Sequence, residues 1–492
     1  MKQTLKLLTM GILAGAVFTL LRAPQAHAAS ITVSTDTHPS ACTLDEAIEN
    51  INDGAQTNSD CAETGAYGTD DTINLPSGTV TLTADLPQIT ESVTITGAGM
   101  GETIIDGDGQ WAGVNVDLAS GNFALADITV TAFKDNAALI NDAEIVTVSR
   151  VEVDGTGVAD SMGFIRGLAI ASDTVYDNTI NISDMYIHGF DIDASGIQVL
   201  AVGYSGQSET NLTVDRVTIA RIRNTGLSQA AIFGAASGTV NGSEQFTANV
   251  SNITVADVTS VTSMVLGIGV VNFNGVSLPA PVLNLTNATV DNIAIPASMP
   301  ANIPVVAAIA AAQNDGDVAR SQLNASNVII SNSSGSTINC GTLDIGPIVG
   351  GAGVGMATLT SNGGNMSDDN STCKDSFTQP TDQNNVSNLA SFLAPLADNG
   401  GYVPTMALLQ GSPAIDAGVT VAGLTTDARL VARPQGTAFD SGAYESPYSK
   451  AITTATTASL ANTGQSITAY ILIALTTLTL GSALLLTRKF KS

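Results

Sequence analysis

Aromatic side chains make up only 4% of this 492-residue chain, with a single tryptophan, so it is poor in the stacking platforms that sugar-binding clefts usually need. Basic residues are scarce too: 17 Lys and Arg stand against 44 Asp and Glu. Six of the 17 (Lys2, Lys6, Arg22, Arg488, Lys489, Lys491) lie at the two ends, leaving the body 11 positive charges against 44 negative ones. Such a surface repels nucleic acid and anionic lipid and excludes both as partners of the body, while it suits solubility or cation binding. Of three histidines, only His38 and His188 lie beyond the N-terminal segment, and no Cys-x-x-Cys pair exists, so no zinc site is implied. There is no Gly-x-Ser-x-Gly, no phosphate-cradling Gly-x-x-x-x-Gly-Lys and no dinucleotide loop opening a helix. The glycine-rich stretch Gly350 to Gly355 lacks a basic companion and reads as loop. No cofactor is called for.

What is there begins at the ends. Lys2 and Lys6 precede an apolar stretch from Leu7 to Leu21, and Ala26-His27-Ala28 supplies a small-x-small cleavage site, the pattern of a secretory signal peptide over 1–28. At the other end an apolar run from about Ser466 to Leu486 is long enough for a membrane helix, since about 20 residues at 1.5 Å span roughly 30 Å. Arg488, Lys489 and Lys491 would stay in the cytoplasm under the positive-inside rule. The expected address is the cell surface, with the body outside and membrane contact through that helix. An exported chain keeps disulfides, and the four cysteines pair by spacing as Cys42 with Cys61 and Cys340 with Cys373.

The middle of the chain repeats an eight-residue phrase: apolar, any, apolar, two mostly polar residues, apolar, any, apolar. It runs Phe123 to Val130, Val146 to Val153, Ile180 to Ile187, Leu212 to Ile219, Ala248 to Val255, Leu283 to Val290 and Leu323 to Ile330. Each copy reads as two short strands of period two joined by a polar corner, so both strands face one interior. The copies start about 23 residues apart at first and roughly 32 to 40 thereafter, which fits rungs of a parallel β-helix whose longer rungs carry loops. A β-sandwich would not repeat the same corner. The interior row is expected to hold Ile128, Val151, Met185, Val217, Ile253, Ala288 and Val328. Ser, Asp and Asn at the corners are placed to bond one another and the backbone left open at the bend. Thr43 to Asn52, with Leu44, Ala47, Ile48 and Ile51 on one face, reads as a helix covering the first rung and hiding an open sheet edge.

The segment Cys42-Thr43-Leu44-Asp45-Glu46-Ala47-Ile48 resembles the CSLREA motif of exported bacterial β-helix proteins, with Asp45 where that family usually has arginine. Four later phrases resemble the choice-of-anchor Q domain in order: Leu396 to Gly401, Leu409 to Gly418, Arg433 to Gly436 and Ser441 to Glu445. The phrase Leu460-Ala461-Asn462-Thr463-Gly464 before the apolar run is similar to a sortase sorting signal, in the variant with alanine in place of proline. These resemblances imply a right-handed, surface-displayed β-helix, adhesin-like, and a sortase-like transpeptidase cutting between Thr463 and Gly464 as a partner. The implied domains are a capping segment 29–69, a β-helix 70–370, a cap of hairpins 371–445 that pairs with the last rung, a spacer 446–459 and a sorting signal 460–492.

A β-helix can instead be a polysaccharide hydrolase or lyase, which needs paired carboxylates, one acid and one base. The local candidates are His188, Asp191 and Asp193, with Arg221 and Arg223 about one rung later. Arg221-Ile222-Arg223 is similar to the basic motif of polygalacturonases, but that family's glycine-flanked histidine is not found between the aspartates and the arginines, and His188 precedes the aspartates. A solvated rung edge explains the same residues. Asp106 to Gly109 and Asn314 to Asp317 offer oxygens for calcium but not the twelve-residue EF-hand spacing, and they read as turns. The sequence therefore points to a non-enzymatic adhesive or structural protein meeting an unnamed receptor or glycan, with polysaccharide processing as the alternative.

Overall fold

The computed structural model describes residues 28–35, 41–68, 70–158, 164–172, 176–193, 196–204, 209–225, 230–237, 246–260, 265–272, 280–294, 306–313, 320–331, 337–344, 357–369 and 371–450. Within them the chain is a parallel β-solenoid. One sheet of 18 strands and a second of 8 stack rung upon rung, and nearly all their pairings are parallel. The expected interior row is present: Ile128, Val151, Met185, Val217 and Ile253 are in register, and the pairs Thr254–Thr289 and Thr289–Ile329 carry the row on to Ala288 and Val328. All seven are buried, at most 1% exposed.

The first five phrases are each one long strand bent at its centre, as in Asn122–Thr131 and Ile145–Asp154, and the last two are split at the corner into Val282–Thr286 with Thr289–Ala294 and Gln322–Ser326 with Ile329–Ser331. The bend is a single residue in the left-handed region: Asp127, Arg150, Asp184, Arg216, Asn252, Asn287 and Asn327, with φ between 51° and 60°. Asp and Asn tolerate that conformation because their short polar side chains bond locally. The bend divides the large sheet into a first face, before the corner, and a second face after it. On Thr210–Asn224 and Phe246–Ser260 a further left-handed residue, Arg221 or Asp257, turns the strand onto a third, shorter face.

The smaller sheet is built from segments that the phrase does not reveal, among them Phe164–Ser172, Gly196–Tyr204, Ala230–Ser237, Val265–Asn272 and Val306–Gln313. Their runs of Ala, Gly and Val have no polar alternation. Part of the extra length in the 32- to 40-residue rungs is therefore strand and not loop.

The stack also starts earlier than the 70–370 expected from sequence. Ser30–Thr32 pairs in parallel with Asp71–Asn74, since Ile31 and Val33 already alternate inward. The predicted helix is Leu44–Asp53, buries Leu44, Ala47, Ile48 and Ile51, and packs against Asp71–Asn74. Glu46 Oε2 accepts from the Thr43 N–H at 3.0 Å to close its first turn, and Gly54 ends it at φ 60°. Buried Asn50 holds the following loop, its Oδ1 accepting from the Thr57 and Asn58 N–H groups at 3.0 and 2.7 Å.

Both expected disulfides are present, Cys42–Cys61 and Cys340–Cys373. Among the described residues no helix is long and apolar enough to cross a membrane. The predicted signal peptide, the span near 466–486, the sorting phrase 460–464, the aspartates of 314–317 and the glycines of 350–355 lie outside the described residues.

The closing segment departs from the expected end cap. Residues near Gln383 do pair with the last rung, at Met366, and Asp382 bonds Asn365. Beyond them the chain lies along the flank of the stack as a strap over the second face. Its hairpin contacts, Leu393–Leu408 and Ala397–Thr405, are made there and not on the final rung. Leu389, Leu393, Val403, Met406, Leu408, Ile415 and Tyr444 of the strap pack with Tyr186, Ala220, Ala256, Ile329 and Met366 of the solenoid. These outward apolar residues need cover, and the strap supplies it.

Candidate interaction surface

The residues named for the alternative of polysaccharide processing are divided by the structure. Tyr186 and His188 sit on the second face, where alternate residues of a strand point outward. His188 Nε2 lies 2.9 Å from Glu152 Oε1, and its Nδ1 lies 3.8 Å from Asp154 Oδ1. Its ring stacks on Tyr186 at 4.1 Å between centroids. Glu152 also accepts from Thr129 Oγ1 at 2.8 Å, and the His188 contact is the main reason its carboxyl is held below the ordinary range. Arg221 donates to the Tyr186 hydroxyl.

Asp191 and Arg223 form a separate pair on the third face, 2.7 Å apart, with side chains 69% and 55% exposed. Asp193 follows on the same side of buried Ile192 and is also exposed. An acid catalyst needs a carboxyl sheltered from water. Asp191 and Asp193 lack that shelter, and His188 is directed to Glu152 and Asp154 and away from them. Glu152 escapes the sequence reading, although it occupies the same place in its phrase as Tyr186 does one rung later. Aligning the phrases would have found it.

The segment from Asp106 to Gly109, expected to be a turn, is one: Asp106 Oδ1 accepts from the Asp108 N–H at 2.8 Å, and Gly109 has φ 67°. Among the described residues no three metal-ligating side chains converge.

The corners form a ladder down the stack. Arg150 grips Asp127 at 2.5 and 2.7 Å, and Arg216 grips Asp184 at 2.6 and 2.9 Å. Next, Asn252 Nδ2 donates to Asp215 Oδ1 at 2.8 Å, and Asn327 Nδ2 to Asn287 Oδ1 at 3.2 Å. The asparagine corners also clamp the strap. Asn287 Nδ2 donates to the carbonyls of Asp440 and Gly442, and Asn327 both donates to the Val419 carbonyl and accepts from its N–H. Inside the strap, Arg433 and Glu445 form an ion pair of 2.7 Å with both side chains fully buried. Arg433 also donates to the carbonyls of Asp440 and Gly442, and Glu445 accepts from the Gln435 and Asp440 N–H groups. Burial pushes the Glu445 carboxyl up and the Arg433 guanidinium down. The closing phrases noted in the sequence are thus the parts that hold the strap together.

With the second face strapped, the first face presents its outward rows in register. One row is Ser30, Thr72, Thr94, Ala124, Thr147, Asn181, Thr213, Asn249, Asn284, Asn324 and Thr360. Two residues along each strand runs a second: Thr32, Asn74, Thr96, Ala126, Ser149, Ser183, Asp215, Ser251 and Thr286, continued in register by Ser326, which is buried. At about 4.8 Å per rung the first row spans roughly 48 Å. Asp215 is the single charge in both rows, and Arg216 neutralises it. Asn324 Nδ2 donates to Asn284 Oδ1 and Asn284 Nδ2 to Asn249 Oδ1, each at 2.9 Å, which fixes the carboxamides in line.

No family model, curated protein or solved structure matches the chain. The family resemblances therefore rest on their short phrases alone.

Proposed function

We propose that this chain is an exported, surface-displayed, non-enzymatic right-handed β-helix protein with an adhesive or structural role in the cell envelope. In this reading it is a relative of the CSLREA and choice-of-anchor Q proteins, held by a sortase-processed C-terminus or by its membrane helix. The first face carries the proposal: it is a long, polar, nearly uncharged surface on a rigid stack, suited to broad contact. Adhesion needs such a face, whereas catalysis needs convergent groups in a sheltered site. Two disulfides support an oxidising compartment, and the exposed Asp191–Arg223 pair argues against a hydrolase centre.

The test is protease treatment of intact producing cells, followed by fractionation. The expected result is release of the body from the surface, with a Thr463→Ala variant shifting from wall to membrane. A chain shielded inside the cell would overturn the reading.

A further inference from the structure

We infer that the first face docks an uncharged, hydroxyl-rich polymer, a neutral polysaccharide lying along the stack. The inference rests on the display reading above and adds the class of partner to it. The body carries 44 acidic side chains against 11 basic ones, yet the two outward rows hold one charge, already paired with Arg216. Exposed Glu144, Asp177 and Glu209 stand at the margin of the face. They would repel an anionic polymer, and a cationic one would be drawn to them and not to the rows.

What the rows offer is hydroxyl and carboxamide groups, which both donate and accept, as sugar hydroxyls do. Their register repeats the same groups every rung, at about 4.8 Å. The bonds from Asn324 to Asn284 and from Asn284 to Asn249 use one N–H of each donor and leave the second. Those side chains are held in place before any ligand arrives, which lowers the entropy cost of binding. No aromatic residue stands in either row, so each contact is weak and binding must accumulate along many rungs. A long polymer is therefore held, while a short oligosaccharide of the same sugar is not.

The experiment is co-sedimentation of the purified full chain, in mild detergent, with insoluble cellulose, chitin and starch, and with calcium pectate as the anionic comparison. The expected result is retention on at least one neutral polymer and none on pectate, with matched oligosaccharides failing to compete. Thr147→Glu with Thr213→Glu, both outward on the first face, should lower retention at least ten-fold. The control, Asp191→Asn with Asp193→Asn on the third face, should leave it unchanged. Circular dichroism and a melting curve on each variant separate lost binding from lost fold, and a variant that fails to fold is replaced by Thr360→Glu alone. Retention that survives the first-face variants overturns the inference, as does retention on pectate alone or none on any polymer. A dimer in sedimentation velocity that the same variants dissolve also overturns it, because the face would then serve a second copy. Cell-surface exposure is read separately by protease, so loss of polysaccharide binding with exposure intact removes the partner and leaves the display reading standing.

Discussion

Asp291 is a carboxyl placed where charge is costly, and replacing it should stabilise the protein. It lies on the second face with 8% of its surface exposed, and Ser331 Oγ donates to it. Asp257 and Asp368 are the charged neighbours that act on it, and both are acidic. Burial first, then those carboxylates, push its pKa up from 3.8 to about 6. Between these two values the native state holds a proton that the unfolded chain releases. Its contribution to stability is therefore full below pH 3.8 and is lost as pH rises through 6. The rise from 3.8 to about 6 corresponds to about 3 kcal/mol at neutral pH. Asp291→Asn keeps an acceptor for Ser331 and turns an N–H group towards the acidic neighbours. It should recover about 1 to 3 kcal/mol at pH 7.5, since part of the gain is lost if the new amide is incompletely bonded. Urea unfolding followed by circular dichroism, wild type against variant, reads the difference directly. At pH 3.5 the advantage should vanish. An equal advantage at both pH values, or none at pH 7.5, would refute the burial argument.

Glu445→Ala leaves Arg433 buried without its partner and should cost about 3 to 5 kcal/mol, first seen as protease cleavage of the strap while the solenoid resists. If the strap stays protected, the ion pair does not hold it. Replacing Cys340 and Cys373 by Ser opens a link across 33 residues and should cost about 3 to 4 kcal/mol by loop entropy, checked by urea midpoint. A Cβ at Gly97 would lie 2.3 Å from the Asp127 carbonyl and 2.5 Å from Ile128, so Gly97→Ala should destabilise the early rungs. Hydrogen exchange should then rise around Val93–Thr96 and Thr103–Asp106, and unchanged protection there would refute it.

The main sheet is legible in the sequence because its inward positions carry a period of two that a half-buried strand imposes. From Leu125 through Val214 to Ala325, that pattern alone places the interior row of the first face. The smaller sheet is not legible, because stretches such as Val306–Gln313 are mostly alanine and show no alternation of polar and apolar residues. The helix at Leu44–Asp53 is found by its apolar face. The place of the closing segment escapes notice, since its Gly and Pro turns announce hairpins but not the surface they meet. The chemical groups named from sequence are mostly present as individuals. Their pairing differs, because His188 and Asp191 sit on different faces of a bent strand, a relation that spacing along the chain does not convey.

The corner ladder nevertheless records where the strap lies. All seven corners share one backbone conformation, so the bend itself cannot explain why their chemistry changes along the stack. The early corners are alternately acidic and basic, and their exposure falls from 34% at Arg150 and 24% at Asp127 to 17% at Arg216 and 7% at Asp184. From Asn252 onward the corners are fully buried and are all asparagine. Under the strap a charged pair would have to shed its water, at a cost that a paired charge recovers only with complete hydrogen bonding. A carboxamide carries donors and an acceptor on one short side chain, so it can bond the rung above and the strap backbone together. Asn327 does both, to Asn287 and to Val419. The change from Asp and Arg to Asn thus marks where the strap backbone bonds the corners directly, while on the charged rungs the strap arrives through side chains and a carbonyl, Tyr402 near Arg150 and Pro404 on Thr218. It also gives the two faces different roles, since the second is sealed by its own chain and the first keeps its threonines and asparagines for something else.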